Sequence, residues 1–340
     1  MKAGKFAKAM KWIGYLTAIL ALIAGLRETV KMISDSAEAH RKIEMLFSQE
    51  EVQLQGRDYW SAWRSLEQAS KINPQSTKVR AAQETLAMAW LQDISVKGKE
   101  NFSDIAEKLE PVLTRGVASS KAGPRRADLL AHLGWTYFLR WLEGRFGLDP
   151  AEVYAKAVKD DPTNPYAHAM WGHWTLWNHG TLSDARQHFA SALASNRQGD
   201  YVRRLQFSAL FKCNNEECDE EIIRVVTAMR KEQQPVGPDT QGRIFSRYYF
   251  TLRPQSARTM RFVNAVPPEE HLATFRWLFD KADLDDSQSL LRSYYLAVLQ
   301  EAAGHRDEAL ANYRLIRSRV AGQGGPLWDA AEAGIRRLSR

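Results

Sequence analysis

The sequence predicts an all-α chain: an antiparallel helix-pair solenoid with a hydrophobic helix near its N-terminus. Three observations predict it. Proline is scarce, 12 of 340 residues, and Leu, Ala, Glu, Lys, Arg and Gln, the strong helix formers, dominate the long segments. No run of alternating Val, Ile or Thr bounded by turn residues marks a strand. Small side chains recur seven residues apart with a large one between them, as in Ala62, Leu66 and Ala69. That spacing lets one helix approach its neighbour closely while the larger side chain fills the groove.

At the N-terminus, Lys2, Lys5, Lys8 and Lys11 stand with no acidic residue among them, ahead of an uncharged stretch from Trp12 to Leu26. Those four lysines supply most of the formal charge of +7, so the remaining chain is close to neutral. A nucleic-acid surface would need its basic residues clustered on the folded body, and no nucleic-acid partner is expected. Fifteen helical residues span ~22 Å against a hydrocarbon core of ~30 Å. Snorkelling by Lys8, Lys11 and Arg27, with local thinning of the bilayer, would close the gap. The segment is therefore expected to be a single-span anchor. A cleaved signal peptide and a helix buried against the repeats are the alternatives. The one tidy small-x-small site, Ala37-Glu38-Ala39, lies beyond Arg27, Glu28 and Lys31, far from the apolar stretch. Residues 1–33 thus form a basic tail and anchor, and residues 34–340 a body with degenerate repeats. The short lysine tail, unopposed by carboxylates, favours a non-cytoplasmic body in a single-pass membrane protein.

The repeat pattern in YWSAWRSLEQASKINP (Tyr59, Ala62, Leu66, Ala69, Pro74) returns three times. Leu182, Ala185, Phe189 and Ala192 keep the spacing, as do Arg306, Ala309, Tyr313 and Ile316. Tyr154, Ala157 and Pro162 give the second half of another copy. Preceding partner helices carry Leu133, Gly134 and Tyr137; Met170, Trp171 and Gly172; and Leu296 and Ala297, with Gly304 at a turn. This pattern resembles the tetratricopeptide repeat family, whose unit is a helix pair of ~34 residues. The resemblance covers about 43–74, 127–162, 163–197 and 286–320. The stretch from Asp200 to Val236 reads as a further pair without the family's small residues. Asp239 to Asp285 is helical in period with a helix start at Pro267-Pro268, and 326–340 reads as a solvating cap. Gly116–Pro124 and Gly322–Gly325 read as loops. The resemblance implies a right-handed stack whose concave face binds peptides or other proteins. Family members that grip a terminal carboxylate use Lys, Arg and Asn on their first helices. Ala131, Trp135, Ala169 and His173 occupy those places here, so no such clamp is expected.

The chemistry-bearing side chains are few. His168 and His173 lie five residues apart, about 140° around a helix, the wrong separation for shared metal ligation. On the family's ligand side, Trp135, Phe138, Tyr166, His173 and Trp177 are the expected partner contacts, because large rigid aromatics make good binding anchors. Core packing is the competing account of those rings. Cys213 and Cys218, the two cysteines, are spaced to allow a loop-closing disulfide outside a reducing compartment, or remain as two thiols. The acidic run Glu216, Glu217, Asp219, Glu220 and Glu221 fits a helix N-terminus. Asp283, Asp285 and Ser287 open like a calcium loop, but Gln288 and Tyr294 replace the glycine and the closing glutamate. No metal, cofactor or catalytic motif is expected.

These features point to a membrane-tethered, non-enzymatic scaffold that binds a protein partner and touches the membrane through residues 12–26. The alternatives are a soluble or periplasmic module that takes a small ligand or glycan in an aromatic pocket, and an accessory subunit of a larger complex.

Overall fold

The computed structural model describes residues 32, 36–94, 101–252, 257–280, 282, 284–320 and 325–340. The basic tail and the apolar segment Trp12–Leu26 lie outside the described residues. Among the described residues there is no strand, and no helix is long and apolar enough to cross a membrane.

The chain divides into two compact units at Asp149 and Pro150. The first holds α1 (36–55), α2 (Tyr59–Ile72), α3 (Thr77–Gln92), α4 (Phe102–Ser119) and α5 (Pro124–Leu142). Local chemistry sets the boundaries. Asp58 caps α2 by accepting from the Ser61 amide, Ser76 caps α3 through Val79, and Pro124 takes the first position of α5. In α2 the small and large residues of the pattern, Ala62, Leu66 and Ala69, are all fully buried. Burying a side chain of Leu size favours folding by about 1.5–3 kcal/mol before entropy is charged against it. Around Trp90 gather Tyr59, Trp60 and Trp63, with the Trp60 ring edge-on at 4.8 Å. α4 packs along α5, and Glu143 at the end of α5 accepts from the Phe102 and Ser103 amides at the start of α4, at 2.7 and 3.0 Å. Gly116 is not in a loop, as its sequence context suggests, but inside α4. A β-carbon there would lie 3.1 Å from Leu129 Cδ1, so glycine serves as a close-approach residue and the connection shrinks to 120–123.

The second unit holds α6 (Pro150–Asp160), α7 (Pro165–Trp177), α8 (Leu182–Ala194), α9 (Gly199–Cys213), α10 (Glu216–Lys231) and α11 (Pro238–Thr251). It continues with α12 (Ala257–Val263), α13 (Pro268–Phe279), α14 (Asp286–Ala302), α15 (Arg306–Arg319) and α16 (Pro326–Leu338). Within this unit the most closely packed helix pairs are α7/α8 and α14/α15. In the first, Ala185, Phe189 and Ala192 are buried, and a β-carbon on Gly172 would meet the Ala185 carbonyl at 3.1 Å. In the second, Ala309, Tyr313 and Ile316 are fully buried, and the chain reverses at Gly304 with φ +82°, a conformation open to glycine. Tyr154 and Ala157 of α6 are likewise buried. The acidic run opens α10, where Glu216, Glu217 and Asp219 sit in the first turn, and Asp285 is the N-cap of α14 in a complete capping box with Gln288. A pocket of side chains around Tyr248 joins α11, α12, α13 and α14: Phe262, Phe275 and Tyr295 have ring centroids within 5.8 Å of it.

Candidate functional site

Within the second unit, α7 and α9 are the leading helices of successive pairs and pack side by side. Asn164 caps α7 by accepting from the Ala167 amide at 2.9 Å, and Pro165 fixes its first turn. α9 ends at Asn214, which is left-handed at φ 50°. Three features hold that end. Cys213 and Cys218 are joined as a disulfide. Arg247 of α11 donates to the Phe211 carbonyl at 2.6 Å and to Asn214 Oδ1 at 2.5 Å. Its guanidinium also lies 3.5 Å from buried Asp219.

Along the α7–α9 seam the side chains form three rungs. At one end Tyr166 meets Tyr201 edge to face, 5.6 Å between centroids, with the Arg204 guanidinium 5.4 Å above the Tyr201 ring. In the middle, His173 Nε2 and Ser208 Oγ are 3.3 Å apart. At the far end Trp177 stacks on His173, 5.6 Å away and 22° from parallel, and Lys212 Nζ sits 4.9 Å over a Trp177 ring. Tyr166 and Trp177 are half-buried, whereas Arg204 and Lys212 are exposed. Eleven residues of helix place the two aromatics about 16 Å apart.

His173 is 2% exposed, and burial pulls its pKa down to about 3. At neutral pH it is an uncharged ring. The Ser208–His173 pair has the composition of a nucleophile and its base, and burial makes that imidazole a weak base. The rung places these polar atoms between two aromatic ends.

The other expected contacts are placed elsewhere. Trp135 and Phe138 belong to α5 in the first unit, where they are 5% and 2% exposed and 4.7 Å apart. His168 turns away from His173 toward α8. Its Nε2 lies 2.9 Å from the Pro162 carbonyl and its Nδ1 3.2 Å from His188 Nδ1, while His188 stacks on Trp171 at 4.4 Å. Among the described residues no group of three or more His, Cys, Asp or Glu could hold a metal ion. The α9 side of the seam, Tyr201, Arg204, Ser208 and Lys212, was not singled out by sequence reasoning. Its signal was a stripe at helical spacing in GDYVRRLQFSALFKC.

No family model matches the sequence. No curated protein matches it either. Among solved structures, a tetratricopeptide repeat protein from Parabacteroides merdae ATCC 43184 is similar over 88% of this chain and 100% of its own, at 11% identity and a TM-score of 0.42. Nothing about the family or the function of this chain follows from a likeness at that level.

Proposed function

We propose that the chain is a non-catalytic helical-repeat scaffold that binds a protein partner along the α7–α9 seam. The observation that carries this reading is the pair of half-buried aromatics, Tyr166 and Trp177, held by their neighbours about 16 Å apart. An extended peptide covers that distance in about five residues. The preferred segment has two apolar side chains at roughly that spacing, with carboxylates beside them to meet Arg204 and Lys212. His173 backs Trp177 and fixes its rotamer.

Tethering belongs to the same proposal. Residues 12–26 would hold the body at a bilayer surface, with residues 34–340 facing away from the cytoplasm, so that confinement raises the effective concentration of partner and scaffold.

The experiment is site-specific photo-crosslinking in cells. A photoreactive phenylalanine at Trp177 should capture one defined protein, and the same group at exposed Ser183 of α8 should not. Equal capture at both positions, or none at Trp177, refutes the seam as the binding surface. Carbonate extraction of the same cells tests the tether: a body released to the supernatant removes it.

A further inference from the structure

On the side of α9 away from α7, the second unit presents another cation. Phe211 precedes Lys212 in the chain and faces α11: the Arg243 guanidinium lies 4.1 Å over its ring, and that of Arg247 5.7 Å from it. These two arginines stand one turn apart on α11, and their surroundings differ. Arg247 donates to the Phe211 carbonyl and to Asn214, and it lies 3.5 Å from Asp219. Arg243 is exposed and, like Lys212, has no carboxylate within ion-pair distance among the described residues.

The acidic run of α10 is engaged elsewhere. Glu216 and Glu220 pair with Arg261 of α12, Glu221 pairs with Arg186 of α8, and Glu217 lines a pocket with the same two arginines. Asp219 is the member of the run that turns toward α11, and Arg247 binds it. On the leading helices there is little else to compete: α7 has no Asp, Glu, Lys or Arg, and Asp200 of α9 lies at the opposite end from Lys212. Asp239, one turn ahead of Arg243, forms no ion pair with it. Burial and the like charge of Arg247 both lower the pKa of Arg243, yet a guanidinium stays ionised at neutral pH. An exposed cation therefore stands beside a second cation, and an anion from outside relieves the repulsion. Arg247 also covers the Phe211 carbonyl, which removes one of the partial negative charges at the end of α9.

We infer that Lys212 and Arg243 form an acidic-peptide subsite at the end of the seam: past the side chain that meets Trp177, the bound segment crosses the end of α9 and sets carboxylates against both cations. The subsite rests on the proposed seam, and adds to it the sequence class of the ligand and the direction in which it leaves. Lys212 leans on Trp177 of α7 and Arg243 on the α11 side of α9, so the two are reached by carboxylates spaced along a chain. A helix pair is about 10 Å between axes, which about three extended residues cover. The segment thus needs a short acidic run beside an apolar residue, and no free terminal carboxylate.

The test displays random twelve-residue peptides on phage and selects them on the immobilised full chain in detergent. The expected binders carry apolar side chains followed closely by two or more Asp or Glu residues. The consensus peptide and a counterpart with Asn and Gln in place of its acids are then titrated against the parent and Arg243 variants at low and high salt. Arg243→Gln should weaken the acidic peptide about fivefold and leave the neutral one unchanged, Arg243→Lys should restore most of the loss, and salt should narrow the gap. Should Arg243→Gln fail to fold, Arg243→Met keeps an apolar stem over Phe211 and replaces it. The inference is overturned by a selection without a consensus, by a consensus without acidic residues, or by Arg243→Gln weakening both peptides equally. A neutral apolar consensus whose binding is lost in Trp177→Ala leaves the seam standing and removes the subsite. An acidic consensus that Arg243→Gln weakens and Trp177→Ala does not touch supports the subsite and removes the seam.

Discussion

Gly334 of α16 lies against the ring of Tyr313 of α15 so closely that a β-carbon on it would come within 2.5 Å of Cε2. Tyr313 cannot retreat easily. It is fully buried, and its hydroxyl donates to Glu301 at 2.8 Å, which in turn binds Arg337 of α16. One missing methyl group therefore sets the distance at which the last helix seats. Gly334→Ala should cost about 1–3 kcal/mol in urea unfolding despite the better helix propensity of alanine. Combining it with Tyr313→Leu should cost less than the sum of the two single changes, because the shorter side chain makes room. A Gly334→Ala protein as stable as the parent would mean that α16 is seated otherwise.

The α7/α8 hairpin makes the same kind of demand at Ala185, which is fully buried with its carbonyl facing Gly172. Ala185→Trp forces an indole into that contact and should lower stability by about 3 kcal/mol. Unchanged thermal unfolding would contradict the packing of small residues as the basis of the hairpin.

Those small residues are also where the sequence was most legible. Ala62, Ala69, Ala185, Ala192 and Ala309 could be picked out because a helix contact needs small side chains at fixed intervals, and all are buried. Asp285, which opens like a calcium loop in the sequence, caps α14 in the structure. Gly116 misled because glycine in a sequence signals a turn as readily as a close approach, and only its neighbours Glu84 and Leu129, distant in sequence, distinguish the two. Spacing shows which face of a helix is apolar but not which neighbour covers it. That is why Trp135 and Phe138 read like Trp177, although they are nearly covered and Trp177 is half-buried.

Two fully buried histidines predict acid sensitivity. His132 Nδ1 lies 2.7 Å from the Asp128 carbonyl and His271 Nδ1 2.9 Å from that of Val263. Each Nδ1–H donates there, leaving Nε2 to accept from Gln92 and from the Tyr248 hydroxyl. Burial lowers both pKa values from 6.5 to about 4. The unfolded chain binds these protons first as pH falls. The neutral form's contribution to stability is therefore complete above pH 6.5 and is lost progressively down to about pH 4. The scale is ~3 kcal/mol per histidine. Urea midpoints at pH 8 and pH 5 should differ in the parent and differ less in His271→Gln. An equal drop in both proteins would assign the acid sensitivity elsewhere.

The disulfide closes a short loop at the α9–α10 turn, where Cys213 follows Lys212 of the seam. Loop-closure entropy for so few residues is worth about 2 kcal/mol. Cys213→Ser with Cys218→Ser should lower stability by that amount while leaving helix content unchanged, as read by far-ultraviolet circular dichroism. No loss would mean that the Arg247 contacts to Phe211 and Asn214 already hold the turn.

Trp177 separates binding from folding. Its ring is half-buried, stacked on His173 and covered on one side by Lys212. Trp177→Ala removes an anchor whose loss from an interface typically costs 2 kcal/mol or more, about a thirtyfold loss of affinity. The loss to folding should be smaller, because part of the ring already faces solvent. Lys212→Glu leaves the ring and reverses a charge, so it should weaken an acidic partner mainly by slowing association, and salt should narrow the gap between variant and parent. Both variants are compared with the parent in thermal unfolding and in binding to the protein captured by the crosslink. If Trp177→Ala unfolds the body while Lys212→Glu leaves affinity and its salt dependence unchanged, the seam is core rather than surface, and the partner binds elsewhere.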